Sequence, residues 1–318
     1  MSVLPSFLSS PPPSIGLELA SDRVTAVSLG RQGQTRTIAA YAVEPLSAGA
    51  ITPALNAVNI HDQSGVAGAI RSVLERTGSR QRRVALVIPD TATKVSLLRF
   101  EKVPAQSDLD QLIRWQVRKA APFKPEDAEI SWVPAAALPG GGQEFLVTLG
   151  RRDIIESYQQ VCAAAGAHAG IVDLASLNLI NAVLAGADGG PAGDWLIVHV
   201  APDYATLAIL RGRDLIFFRS RQLDTYGDLT DLVHQTAMYH EDRLSGGRFG
   251  RVILSGAAAR GADGGERARR ALEERLGVRV EALDFRRAAA MVDRIGANPE
   301  LLDALAPAVG VVLRERVA

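Results

Sequence analysis

A two-lobed α/β fold, in which the second lobe repeats the opening of the first, is predicted by three features of the sequence. The chain has 318 residues, more than one core usually organises, so two domains of ordinary size are expected. A three-strand meander over 15–43 starts again over 195–219, and alternating helix and strand patterns follow each copy, as in layered α/β proteins. A hydrophobic fraction of 47% beside a charged fraction of 22% suits buried cores and argues against wholesale disorder.

Residues 1–13 contain consecutive prolines but neither a basic segment nor a sustained apolar run, so a mobile tail is expected and a secretory signal is not. The first lobe, 14–190, opens with strands Ile15–Leu19, Val24–Leu29 and Thr35–Val43. Val66, Ala69, Ile70, Val73 and Leu74 recur at helical spacing within about Asp62–Arg76, and the apolar strand Val84–Ile88 follows. An inserted subdomain at about 93–150 holds strand Val95–Phe100, a helix over about Ser107–Ala121, strand Glu129–Val133, a glycine turn at 140–142 and strand Phe145–Leu149. A helix from Arg151, strand Ile171–Leu174 and a helix towards Ala185 complete the lobe, and the linker GADGGPAGD ends it. The second lobe, 191–318, has strands Trp195–Val200, Ala205–Leu210 and Leu215–Arg219 and a helix over about Asp228–Leu244. Strand Val252–Leu254, helix Gly265–Leu276, strand Val278–Val280 and a final helix over about Pro299–Arg314 come next.

Lys plus Arg equals Asp plus Glu at 35 each, so no global basic field draws the chain to a nucleic acid or an anionic membrane. The stretch 169–187 is apolar but carries Asp173, Asn178 and Asn181, which favours a strand and a buried helix over a membrane span. A cytoplasmic protein without membrane insertion is expected. Cys162 has no second cysteine to pair with and falls in a helical apolar pattern, where it serves as a small core residue. There is no Gly-Lys-Ser/Thr phosphate loop, nucleophile elbow or His-Glu-x-x-His helix. His234 and His240 are six residues apart, about 240° round a helix, so they cannot chelate one metal from one face. Neither catalytic nor metal-binding residues are expected.

The segment IRWQVRKAAPFKPEDAEISWVP, Ile113 to Pro134, resembles the helix, Pro-Phe corner and strand of the PilM family of type IV pilus assembly. IVDLASLNLINAV at 171–183, YGDLT at 226–230 and ILSGAAA at 253–259 extend the resemblance in the same order, and weaker echoes connect the chain to the cytoplasmic lobe of type II secretion platform proteins. The resemblance implies an actin-like, ribonuclease H-like fold with a reduced second lobe, since Arg221–Val252 holds one helix where ATP-binding members carry a subdomain over the nucleotide. It also implies a cytoplasmic scaffold, recruited to the inner membrane by the cytoplasmic N-terminal segment of a bitopic pilus or secretion protein.

In that superfamily two hairpin turns reading Asp-x-Gly face the phosphates of ATP, and this chain departs from the pattern at both. Glu18, Ala20 and Ser21 form the first turn; a Cβ at Ala20 sits where backbone should approach an anion. His199, Ala201 and Pro202 form the second, with an imidazole that cannot replace a carboxylate around Mg²⁺ and a proline that lacks an N–H. Thr206 follows on the next strand, and the adenine-side glycine pair survives only as Gly256-Ala257. No cofactor and no enzymatic activity are therefore expected. Structural ATP with Mg²⁺, or an actin-fold small-molecule kinase, are the alternatives.

The resemblance further implies binding of a short extended peptide where the inserted subdomain meets the first lobe. Leu109, Leu112, Ile113, Val117 and Ala120 form a stripe facing the subdomain's own sheet, with Trp115 off it. Trp115, Pro122, Phe123 and Trp132 are the candidate groove residues; alternatively, the corner and Trp132 seal the subdomain core.

Overall fold

The computed structural model describes residues 13–33, 35–78, 82–119, 121–186, 193–223, 226–291 and 298–314. Nearly all of the expected tail, and most of the expected linker, lie outside the described residues. The first meander forms as β1 (Ile15–Leu19), β2 (Arg23–Gln32) and β3 (Thr35–Pro45). Asp62 caps α1 (Gln63–Arg76) by accepting the Gly65 N–H at 2.9 Å, and β4 (Arg83–Ile88) follows. The subdomain consists of β5 (Thr93–Phe100), α2 (Gln106–Arg118), β6 (Ala128–Ala137) and β7 (Gln143–Arg151). The helix α2 ends at Arg118, short of the expected Ala121, where Pro122 disfavours helical backbone in the residue before it. α3 (Arg152–Ala164), β8 (His168–Leu174) and α4 (Ala175–Ala185) return to the first lobe.

The second lobe repeats the plan with β9 (Asp194–Val200), β10 (Tyr204–Arg211), β11 (Asp214–Gln222), α5 (Tyr226–Leu244), β12 (Arg251–Ser255), α6 (Ala262–Leu276) and β13 (Val280–Ala282). The strand order β3-β2-β1-β4-β8 in one sheet matches β11-β10-β9-β12-β13 in the other, with an antiparallel meander and parallel strands beside its first member in both. Duplication thus extends from the sequence pattern to the topology. β5-β7-β6 form a separate three-stranded sheet covered on one side by α2.

One strand and the packing of one expected helix were not visible as patterns. β14 (Ala290–Met291) leaves the second lobe and pairs parallel with β3, extending the first sheet to β14-β3-β2-β1-β4-β8. The last helix, α7 (Pro299–Leu313), expected as part of the second lobe, packs on the first lobe's sheet and on α4. Its approach needs glycine: a Cβ on Gly16 would meet the Ala308 carbonyl, and one on Gly310 would meet the Asn178 carbonyl. α4 and α7 lie together between the sheets, joined to β9 and β10 by a core that includes Trp195, Phe285 and Leu305. Among the described residues, no helix is long and apolar enough to cross a membrane.

Candidate functional sites: an interlobe cleft and a subdomain groove

The β1–β2 and β9–β10 turns face each other across a cleft of about 380 Å³. Ser21 Oγ donates to Asp203 Oδ1 at 3.1 Å, joining one turn directly to the other. Both turns are closed at the base, by Ala20 N–H to the Arg23 carbonyl at 3.0 Å and by Ala201 N–H to the Tyr204 carbonyl at 2.9 Å. Of the predicted turn positions, Glu18, Ala20, Ser21, His199, Ala201, Pro202 and Gly256 line the cleft, while Thr206 and Ala257 are buried away from its lining.

The cleft supplies its own ions. Arg23, at the start of β2, pairs with Asp22 at 3.0 Å and with Glu18 at 3.4 Å. Glu18 is buried, and loss of water raises its pKa to about 7 even though Arg23 opposes the shift. Burial, with Arg23 adding to it, lowers His199 to about 3, so the imidazole is neutral; its Nδ1 has no hydrogen-bond partner among the described residues. At the opposite wall, Gly256 adopts φ 82°, a left-handed conformation in which an added Cβ would strike the Val200 carbonyl. Asp303 of α7 reaches this turn, accepting from Ser255 Oγ at 3.1 Å and from Ala258 N–H at 3.4 Å. Five carboxylates, from Glu18, Asp22, Asp203, Glu300 and Asp303, face one guanidinium across the lining.

Behind the cleft, buried Asp90 ties the lobes. Asp90 Oδ2 accepts from Thr206 Oγ1 at 2.7 Å and from Ser176 Oγ; Oδ1 accepts the Ser176 N–H at 3.0 Å. Its own N–H donates to Tyr204 Oη at 3.2 Å. Burial pushes the Asp90 carboxyl upward, against these hydrogen bonds. Thr206 is therefore an interlobe tie rather than part of an open loop. Sequence reasoning missed Asp90 and Asp303, whose partners lie far away along the chain, and also Arg23, whose partners Glu18 and Asp22 are close by but are brought together with it only by the β1–β2 turn. Among the described residues, no group of three or more His, Cys, Asp or Glu could hold a metal ion.

A second cavity, of about 820 Å³, lies where β6 and β7 meet α3, β8 and α4. β6 ends the subdomain sheet and β8 ends the first lobe's sheet, so strand edges belonging to two different sheets border the groove. Val133, Leu146, Leu177, Ile180 and Leu184 give it apolar walls, and Arg213 of the β10–β11 turn, with Asp214 and Leu215 at the start of β11, brings in the second lobe.

Of the four candidate groove residues, the structure brings Trp132 alone to this lining. Its ring meets Phe145 edge-on at 5.5 Å, and its Nε1 donates to Asp110 Oδ1 at 3.1 Å. Phe123 packs against the subdomain core, and the exposed Pro122 offers its carbonyl to Asn56 Nδ2 at 3.3 Å. Trp115 stands 55% exposed on α2. Leu109, Ile113 and Val117 are buried as the stripe requires, but Leu112 is 37% exposed, and Ala120 lies outside the described residues. An α-helical turn advances about 100° per residue, which carries Leu112 round from the buried row towards Trp115.

Comparison with known proteins places these features in a family. Residues 16–241 match the family model described as type IV pilus assembly protein PilM. Over 95% of this chain and 98% of the other, the fold superposes with a TM-score of 0.79 and 18% identity on a chain from a PilM-PilN type IV pilus biogenesis complex. An actin-like ATPase-fold protein of unknown function from Bacteroides thetaiotaomicron is more distant, with a TM-score of 0.49 and 9% identity over 84% of this chain and 89% of that one. So is the ethanolamine utilization protein EutJ from Carboxydothermus hydrogenoformans, with a TM-score of 0.49 and 11% identity over 96% and 90%. Matched over well more than half its length, the chain belongs to the PilM family of type IV pilus assembly proteins and has the actin-like fold.

Proposed function

We propose that this protein is a cytoplasmic scaffold of a type IV pilus or related secretion machine. In this reading the groove binds the N-terminal cytoplasmic segment of a bitopic inner-membrane partner, which recruits the scaffold to the membrane. The observation that carries the reading is the groove itself. Its bordering strand edges offer backbone hydrogen bonds to an extended peptide, and its apolar walls receive alternate side chains. The structural likeness to a chain from a PilM-PilN complex supports a peptide-bearing partner of this kind.

The same proposal makes the scaffold independent of nucleotide and catalytically inactive. In this reading Mg-ATP fits the cleft poorly: Asp303 already takes the Ala258 N–H, Arg23 is already paired with Glu18 and Asp22, and the remaining lining is acidic towards a phosphate. Glu18, with its pKa near 7, and neutral His199 make weak partners for a hydrated divalent cation.

Titrating partner-derived N-terminal peptides into the full chain tests the groove. Val133→Arg and Leu184→Arg should weaken binding at least about tenfold, since each places an unpaired charge against an apolar wall. Trp115→Ala should bind like wild type. Undiminished binding by both arginine variants would remove the groove assignment. Millimolar Mg-ATP should leave the melting temperature unchanged, because a ligand of the native state must raise it.

A further inference from the structure

The outer face of α2 is not used by either cavity. Leu112, Trp115 and Lys119 follow one another at helical spacings of three and four; Trp115 lies across the helix from the buried row Leu109, Ile113 and Val117, and Leu112 lies between the two. Lys119 Nζ lies 4.3 Å from the centre of the Trp115 ring. From Gln111 to Pro125 the chain carries Arg114, Arg118, Lys119 and Lys124 and no carboxylate, although the protein as a whole is neutral. Arg114 is paired with Asp110 at 2.7 Å; Arg118, Lys119 and Lys124 have no ion pair among the described residues. Asp108, one turn before Leu112, is the acid of α2 that shares this face by helical spacing.

We propose that this face is a peripheral contact for an anionic phospholipid surface. Charge complementarity and side-chain shape both select that occupant. A tryptophan ring beside a lysine suits the headgroup layer, where the ring partitions into the interface and long cationic chains reach the phosphates. Neither cavity lining includes Leu112, Trp115 or Lys119, so the face is separate from both the cleft and the groove. The chain lies on the bilayer here and does not cross it. Because the groove belongs to the same subdomain, a membrane-anchored peptide bound there would add avidity; that clause alone rests on the proposed function.

A few cations and one ring give weak, salt-sensitive binding, with roughly fivefold lost for each cation removed. The test is co-sedimentation of the full chain with phosphatidylcholine vesicles that contain or lack phosphatidylglycerol, at low and high salt. Binding should require phosphatidylglycerol, fall with salt, and drop at least about twentyfold in the double variant Arg118→Glu, Lys119→Glu. Brominated lipid should quench wild-type fluorescence but not that of Trp115→Phe, which retains Trp132 and Trp195. Absence of binding to anionic vesicles, or equal binding by the double variant, overturns the proposal, as does binding to an acidic protein in place of vesicles. Val133→Arg should bind vesicles normally, so failure of the groove reading and failure of this one are distinguishable.

Discussion

Replacing Glu18 with Gln should change how stability depends on pH without costing stability above neutral pH. The side chain is buried beside Arg23 at 3.4 Å, and burial moves its pKa from 4.5 to about 7. A carboxyl that holds its proton more tightly when folded contributes stability that is complete below pH 4.5 and is lost as the pH rises through 7. At about 1.4 kcal/mol per pH unit, the loss amounts to about 3 kcal/mol. His199 acts with the opposite sign: its folded pKa of about 3 lies below the ordinary 6.5, so stability is lost as pH falls below 6.5. The two partly cancel between pH 4.5 and 6.5, and the wild-type profile isolates neither. Subtracting wild type from Glu18→Gln removes His199 and every other group the two proteins share. Melting temperatures measured from about pH 4.5 to 8 should therefore diverge in the variant's favour by roughly 6 °C, taking about 2 °C per kcal/mol for a chain of this size. A difference that stays flat across this range would refute the burial of Glu18 against Arg23, and the closed cleft with it.

Asp90→Ala should lower unfolding free energy by about 2–4 kcal/mol in urea titrations, because the Ser176 N–H and the hydroxyls of Ser176 and Thr206 lose their shared acceptor. Opposite outcomes are expected from one substitution at two glycines. Gly310→Ala drives a methyl group into the Asn178 carbonyl and should cost upwards of about 3 kcal/mol, whereas Gly68→Ala on α1 meets nothing within 4 Å and should stabilise by about 0.4–1 kcal/mol.

Local chemistry made the repeated meanders legible. Apolar runs bounded by turn residues recur at 15–43 and 195–219, and the structure converts both into antiparallel strands with the same neighbours. Three of the five positions in the α2 stripe were readable as core for the same reason, since a 3.6-residue period fixes the buried face. β14 left no such trace, being two residues long and held by its pairing with β3. α7 is apolar enough to be recognised as a buried helix, but apolarity does not say which sheet will cover it, and here small residues at Gly16 and Gly310 decide. The cleft was legible in its turns and obscure in its ties. Ser21 and Asp203 are 182 residues apart, Asp90 and Thr206 116 apart, and no spacing rule relates them. Trp115 and Trp132 were both candidates in the sequence because a groove between two sheets is defined only once those sheets are placed.

The cleft and the groove share their supports. Ala175, at the first residue of α4, lines the cleft, while Leu184 near its other end lines the groove. α7 runs the same course, from Asp303 in the cleft to Leu313 at the groove, and the backbone approach at Gly310 and Asn178 locks the two helices together. Because the β10–β11 turn completes the groove from the second lobe, the shape of the groove depends on the angle between the lobes. That angle is held here by side chains: Ser21 on Asp203, Asp90 on Thr206 and Tyr204. On the proposed nucleotide-independent reading, these ties would hold the groove in one geometry. Its occupancy would then follow the concentration of the membrane partner and not the supply of ATP.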